Sequence, residues 1–305
     1  MIPAAGELDH ERSTMGRVST LFRLAALHAI DVAGNAVLDP LLLGADIFHC
    51  SNQVRVTPSK CRITATIHDM TCWLMPEAHT EANVRADSTF ADRILKRASG
   101  LIAVSENTRK DAIRILNLHP DRVQTIYSGV DERFFDAKPI PRERPYVLYL
   151  GTIEPRKNID LLLDAWQLMR PEYREHFDLL LAGPIGWRSE ATMSRLVSGS
   201  VGVHYLGYVP ESQIPGLTAG AAAFAYISRY EGFGFPVAQA MAAGVPVLTS
   251  NTSCLPEVAG DGALLVDPQS PAEVAAGLER LLEDGELRKR LGAAGRARAS
   301  ELFRW

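Results

Sequence analysis

The chain has only 4 cysteines in 305 residues, and none stands in a Cys-x-x-Cys pair or at His-rich ligand spacing. Cys50, Cys61, Cys72 and Cys254 therefore supply neither a disulfide framework nor a zinc pattern, and reduced thiols in a cytoplasmic protein are expected. Long apolar runs are missing too. The most apolar early stretch, Leu21 to Phe48, is interrupted by Arg23, His28, Asp31 and Asp46, well short of the roughly 20 unbroken residues of a membrane span. Glu7, Asp9, Glu11 and Arg12 make the opening residues unlike a secretory signal. A net charge of -4 leaves no electrostatic footprint for nucleic acid. Basic residues cluster only locally, at Arg288 to Arg290 and Arg296 to Arg298, where a solvated face of a late helix is expected. There is no internal repeat and no low-complexity tract.

What is present is globular composition, 47% hydrophobic and 22% charged, over a length that suits two domains. Short apolar runs alternate with amphipathic stretches, the pattern of α/β layers built on parallel sheets. Asp46 to Cys50, Ile63 to Ile67, Gly100 to Val104 and Val123 to Tyr127 read as strands. Between them lie helices from about Ala82 to Ala98 and, after Ser105 as N-cap, to about Leu116. A polar, Pro-rich stretch, Asp136 to Pro145, follows and is the best domain boundary on composition. The alternation then restarts. Strands are expected at Tyr146 to Leu150, Phe177 to Ala182, Val203 to Leu206, Ala221 to Ile227, Val245 to Thr249 and Ala263 to Val266. Helices are expected at Ile159 to Met169, Pro236 to Ala243, and from the Ser270-Pro271-Ala272-Glu273 capping box to about Leu282. The expected fold is α/β with two Rossmann-like domains, residues 1–140 and 141–305.

Ligands of such sheets bind beyond the carboxyl ends of the strands, so the loops there carry the informative residues. Two loops stand out. In Gly151-Thr152-Ile153-Glu154-Pro155-Arg156-Lys157-Asn158, a glycine after a buried strand lets a ligand approach the backbone, and two adjacent cations before a helix can clamp a diphosphate. In Glu231-Gly232-Phe233-Gly234-Phe235-Pro236, a carboxylate able to accept hydrogen bonds from sugar hydroxyls leads into a helix N-terminus. The free N–H groups and the positive dipole end there suit phosphate. His68 and Asp69 follow another strand. Asp69 and Glu257 serve equally well as structural caps or as ligands, and Ser105 reads as a helix cap rather than a nucleophile.

Together these segments resemble the large retaining glycosyltransferase family with the GT-B fold, known as family 4 or group 1. Ile67 to Met70, Ile102 to Arg109, Ser128 to Asp131, Tyr149 to Ala165, Ser228 to Val247 and Leu255 to Pro268 carry the resemblance, which extends from about Asp46 to Phe303. It implies transfer of a hexose from a nucleotide-diphosphate sugar to a glycan or lipid-linked acceptor. Arg156 and Lys157 would neutralise the donor diphosphate, Glu231 would hold donor-sugar hydroxyls, and His68 would approach the sugar near its reacting carbon. Gly151 and Thr152 would lie along the donor, the backbone N–H groups of Phe233, Gly234 and Phe235 would meet its oxygens, and position 239 would hold the ribose. Without an Asp-x-Asp motif, no metal and no cofactor beyond the co-substrate is expected. The expected place is the cytoplasm, with peripheral contact at the inner face of a membrane left open.

Three positions depart from the family pattern. Gln239 stands where a second Glu is usual, so a neutral amide would meet the ribose. Thr152 replaces a common Arg. The Gly-Thr-x-x-Pro-Arg-Lys-Asn variant is similar to that of mannosyltransferases of surface polysaccharides, which favours a GDP-sugar such as GDP-mannose. The residues before Asp46 hold isolated glycines and no Gly-Gly pair, and Trp305 stops before the usual final helix. The N-terminal domain is therefore expected to be incomplete and the chain truncated at both ends. The alternative to an enzyme is a non-catalytic nucleotide-sugar-binding remnant or subunit.

Overall fold

A computed structural model describes residues 39, 40, 42, 44–50 and 57–305. The chain forms two compact units, one from residues up to Thr66 with Thr89–Leu101, the other from Ile67–Ser88 with Ile102–Trp305. The Pro-rich stretch 136–145 lies wholly inside the larger unit.

The first four strands are β1 (Ile47–Cys50), β2 (Arg62–Ile67), β3 (Gly100–Ala103) and β4 (Val123–Thr125). In the smaller unit β1 runs parallel to β2, with Phe48 opposite Ile63 and Cys50 opposite Ala65. His49 binds the hydroxyls of Thr64 and Thr66 at 2.9 Å each. Before β3 lies helix α1 (Glu81–Phe90), which continues as a π turn over Ala91–Leu95. The expected helix 82–98 is thus present in outline, but its last turns are rewound. After β3, Ser105 accepts a hydrogen bond from the Thr108 N–H at 3.0 Å and starts α2 (Glu106–Leu116). Asn117 closes α2 in the left-handed conformation at φ 52°, one of the few non-glycine types that tolerate it.

The second sheet holds six strands: β5 (Tyr146–Leu150), β6 (Asp178–Ala182), β7 (Val203–Gly207), β8 (Ala223–Tyr226), β9 (Val247–Ser250) and β10 (Ala263–Val266). All pairings are parallel, in the order β10-β9-β8-β5-β6-β7. β5, β6 and β8 are buried along nearly their whole length, which is why they read as unbroken apolar runs rather than alternating ones. The helices that matter for the site and its core are α3 (Ile159–Leu168), α4 (Phe235–Ala242), α5 (Leu255–Ala259), α6 (Pro271–Glu283) and α7 (Gly285–Leu302). Trp166 of α3, Met241 of α4 and Leu278 of α6 are wholly buried in the resulting core. Each such side chain contributes about 1.5–3 kcal/mol relative to an exposed one.

The late basic helix corrects one expectation. Lys289 and Arg290 are exposed on α7, but the neighbouring arginines bind helix ends. Arg288 donates to the carbonyls of Leu281 and Leu282 at 2.7 and 2.6 Å. Arg296 reaches Ala242 O at 3.2 Å and Phe135 O at 2.6 Å, and Arg298 reaches Val258 O and Glu257 O at 2.9 and 2.7 Å. The last carbonyls of a helix have no partner within it, and these guanidinium groups fill that need.

Strand order places the site. Connections after β5 run toward β6 and β7 on one side, while β8, β9 and β10 lie on the other. The order therefore reverses between β5 and β8, and the loops leaving the two strands at such a reversal are the usual ligand position in these sheets. Those loops are 151–158 and 227–235.

Candidate functional site

The loop after β5 turns immediately beside the loop after β6. Gly151 donates its N–H to Ala182 O at 2.9 Å, and a Cβ on Gly183 would meet Gly151 O at 2.0 Å. The nearest neighbour of Gly151 on that side is therefore protein backbone. Thr152 accepts the Tyr149 hydroxyl at its carbonyl, 3.1 Å away. A short 3-10 turn over Pro155–Lys157 ends at Asn158, which sits at φ 59° and donates its side-chain amide to Pro268 O at 2.8 Å. The turn fixes Arg156 and Lys157 facing the loop after β8, where Arg229 donates its N–H to Arg156 O at 3.0 Å.

Glu231 lies at the centre. Its Oε1 accepts from Lys157 Nζ at 2.7 Å and from the Tyr226 hydroxyl at 2.9 Å, and its Oε2 lies 2.7 Å from the Arg156 guanidinium. Arg156 also pairs with Glu154 at 2.8 Å. Glu231 is 6% exposed and Glu154 5%, so two cations and two carboxylates form a neutral, nearly dry cluster. Burial alone would raise the Glu231 pKa, but Lys157 and then Arg156 outweigh it and bring it down to about 2. Burial also opposes the charge on Arg156, yet Glu231 and Glu154 hold its pKa above the usual value. Tyr226 and Tyr149, stacked at 5.8 Å, are kept protonated first by burial and next by the negative charge of Glu231. Tyr226 is thus a fixed donor toward Glu231.

Past Glu231, the N–H groups of Phe233, Gly234 and Phe235 have no hydrogen-bond partner among the described residues. Gly234 stands at φ 84° as the residue before α4. The Phe233 ring is buried against Tyr127, Phe235 and Phe303 at the helix start. This is an anion-ready terminus with the dipole of α4 behind it. Gln239 follows on α4, half-buried, with no side-chain hydrogen bond among the described residues.

The loop is held from its other side by residues that the sequence did not mark. The Tyr230 hydroxyl donates to Asp111 at 2.7 Å and accepts from Asn107 at 3.2 Å. The Thr108 hydroxyl donates to Gly232 O at 3.0 Å, and Ser253 accepts the Glu231 N–H at 3.1 Å. Gly232 lies so close to His68 that a Cβ there would meet the His68 carbonyl at 1.7 Å. His68 itself follows β2 with its side chain exposed. Asp69 and Glu257 act as caps: Asp69 accepts the Thr71 N–H at 2.8 Å, and Glu257 takes the N–H groups of Glu106 and Asn107 at the start of α2, at 2.6 and 2.9 Å. Tyr149 and Tyr226 carried one legible signal, a hydroxyl near the carboxyl end of an otherwise apolar strand. Asp111, Asn107 and Ser253 carried none. Among the described residues no group of His, Cys, Asp or Glu side chains converges to hold a metal ion.

A parallel sheet with its reversal at β5 and β8, a carboxylate fixed by two cations, and a helix N-terminus beside it together fit one α/β half of a GT-B glycosyltransferase. Comparison with known proteins agrees. The profile described as Glycosyl transferases group 1 matches residues 130–298, and that of Glycosyltransferase Family 4 matches residues 9–134. The chain belongs to the group 1 glycosyl transferases. It is 36% identical over 256 residues to O-antigen chain mannosyltransferase B of Escherichia coli, covering 80% of this chain and 67% of that one. It is 30% identical over 217 residues to an MMP alpha-(1->4)-mannosyltransferase of Mycolicibacterium hassiacum, covering 70% of this chain and 52% of the relative. The chain thus spans about two thirds of the first relative and half of the second. In fold it is similar to sucrose-phosphate synthase from Thermosynechococcus elongatus, with TM-score 0.70, 22% identity, and coverage of 88% of this chain and 72% of that one. Anabaena HepE in complex with UDP and glucose superposes with TM-score 0.66 at 23% identity, covering 80% and 68%.

Proposed function

We propose that this chain transfers a hexose, mannose in the favoured case, from a nucleotide-diphosphate sugar to a glycan or lipid-linked acceptor, with retention of configuration. The observation that carries this reading is the row of free N–H groups at Phe233, Gly234 and Phe235 beside the buried Glu231–Lys157–Arg156 cluster. The mannosyltransferase relatives favour mannose, and the GDP-sugar follows from that.

In this reading residues 141–305 form the donor-binding domain. The donor diphosphate takes the free N–H groups and the dipole of α4, with Lys157 and Arg156 supplying positive charge, and no metal is invoked. Glu231 accepts hydroxyls of the sugar, and Gln239 offers its amide to the ribose. Gly151 and Thr152 form the loop along the donor, and His68 stands toward the reacting carbon. Glycosyl transfer builds negative charge on the leaving phosphate and positive charge on the sugar ring. A fixed cluster holding both signs stabilises each without reorganising at the moment of reaction. The whole site works in the cytoplasm, with peripheral contact to a membrane for a lipid-linked acceptor. No described helix is long and apolar enough to cross a membrane.

The test is transfer and donor hydrolysis measured across GDP- and UDP-sugars, with the anomeric configuration of the product read by NMR. GDP-mannose turnover with retention is expected. Tight nucleotide-sugar binding with no turnover on any acceptor would establish the binding subunit instead.

A further inference from the structure

An open surface pocket lies between the segment that runs from Pro76 to Ser88 and the residue Arg188. It has a volume of about 460 Å³, within the roughly 300–1,000 Å³ range of small-molecule sites. His79, Glu81, Arg85, Ser88 and Arg188 provide its polar wall. None of these residues is used by the site described above.

The frame of this cavity is built, not incidental. The Trp187 indole N–H donates to Ala78 O at 2.5 Å, and the Arg188 guanidinium donates to Glu77 O. The His79 ring packs against Trp187 at 5.8 Å between centroids. Arg188 sits at φ 51°, a left-handed conformation that costs a non-glycine residue about 1 kcal/mol or more and persists only where its surroundings hold it. His79 is 7% exposed and its Nε2 has no hydrogen-bond partner, an unsatisfied group of the kind that collects at binding sites. Glu81 and Arg85 face each other at 3.8 Å with side chains 92% and 80% exposed. Such a pair is weak and re-forms readily around a ligand.

The chemistry of the wall is specific. Two guanidinium groups outweigh one carboxylate, so the cavity favours an anion, and Arg presents the fork geometry that suits phosphate. Glu81 and Ser88 suit sugar hydroxyls. Position links the cavity to the donor site: the turn that carries Arg188 also packs on the donor loop, since a Cβ on Gly186 would meet Thr152 Cγ2 at 2.7 Å and Ile153 O at 2.9 Å.

We infer that this cavity is the subsite for a phosphate-bearing acceptor, with Arg188 and Arg85 gripping the phosphate and Glu81 and Ser88 the adjoining sugar. The inference rests on the transferase reading above, which supplies the need for an acceptor. The phosphate belongs either to a phosphorylated sugar or to the diphosphate of a lipid carrier, and the probes separate these sources.

Calorimetry on the full chain, saturated with GDP, would use a hexose 6-phosphate, a short-chain prenyl diphosphate and a neutral octyl hexoside. One or both charged probes should bind and the neutral one should not, with the better charged probe naming the source. Arg188→Gly, which removes the guanidinium and relieves the positive φ, should weaken that binding at least about tenfold, the equivalent of one charge-assisted contact. Arg85→Gln should weaken it as well, and GDP affinity should stay the same in both variants. Binding that is equal for the neutral probe, unchanged in both variants, or abolished by GDP would overturn the subsite. Transfer that proceeds normally in Arg188→Gly and Arg85→Gln on a phosphate-bearing acceptor would overturn it too and leave the transferase reading intact. No transfer by the unsubstituted chain, with the charged probes bound and weakened in both variants, would overturn the transferase reading and with it the acceptor role, leaving only an anion site.

Discussion

Replacing Glu231 by Gln removes the hub of the buried cluster. Glu231 accepts from Lys157 at 2.7 Å and meets Arg156 at 2.7 Å with 6% exposure. Glu154 still balances Arg156, at 2.8 Å, so Lys157 becomes an uncompensated charge beside Tyr226. Breaking one partner of a buried pair costs about 3–5 kcal/mol. The titration route gives a similar size. Glu231 goes from an ordinary 4.5 to about 2 in the folded chain, and at 1.36 kcal/mol per unit that is about 3 kcal/mol. Because the folded value is depressed, this stability is fully present above pH 4.5 and is lost as pH falls from there toward 2. Guanidinium denaturation of Glu231→Gln at pH 7 should therefore show a loss of about 3–5 kcal/mol. Glu231→Gln combined with Lys157→Met restores neutrality and should be less destabilised than the sum of the single variants by about 1–3 kcal/mol. A loss below about 1 kcal/mol for the single variant, or strict additivity in the pair, would refute the buried cluster as drawn.

Other expectations follow from the loop around it. Gln239→Glu should tighten nucleotide-sugar binding by about 3- to 30-fold, the gap between a neutral and a charge-assisted hydrogen bond; unchanged or weaker affinity by calorimetry would refute position 239 as the ribose contact. Gly232→Ala forces a Cβ into the His68 carbonyl, 1.7 Å away, and should lower the melting temperature and abolish donor binding together. Wild-type affinity in that variant would show that the approach is not required. Tyr230→Phe removes the hydroxyl that donates to Asp111 at 2.7 Å and should cost about 1–3 kcal/mol in denaturant. Asp111→Asn, which keeps an acceptor, should cost less, and the reverse ranking in the melts would argue against that bond.

Much of this was legible in the chain. Parallel strands announce themselves as short apolar runs, and β5 and β10 fall where those runs predicted, at Tyr146–Leu150 and Ala263–Val266. Local chemistry also sufficed for the caps. Ser270 accepts the Glu273 N–H at 3.2 Å, although Glu273 reaches back to the Asp267 N–H at 3.1 Å instead of completing the box on Ser270. The basic stretch of α7 was misjudged because a guanidinium that binds distant carbonyls has the same sequence as one in water. The π turn over Ala91–Leu95 likewise leaves no trace in a pattern of period 3.6.

For the site, the sequence determined the chemical types: a carboxylate, two cations and a glycine-flanked helix start lie in two segments about 75 residues apart in the chain. Their local conformations depend on neighbours a few residues away, so those residues could be named in advance. What only the tertiary structure decided is how they are paired. Glu231 meets Lys157 and Arg156 because β8 lies beside β5 in the sheet, and Tyr226, Asp111 and Ser253 join through contacts 5 to 119 residues apart in sequence. Arg156 and Lys157, expected to neutralise a diphosphate, are also paired with Glu154 and Glu231 in a nearly dry setting. Burial and strand order set that balance, and both are properties of the folded sheet.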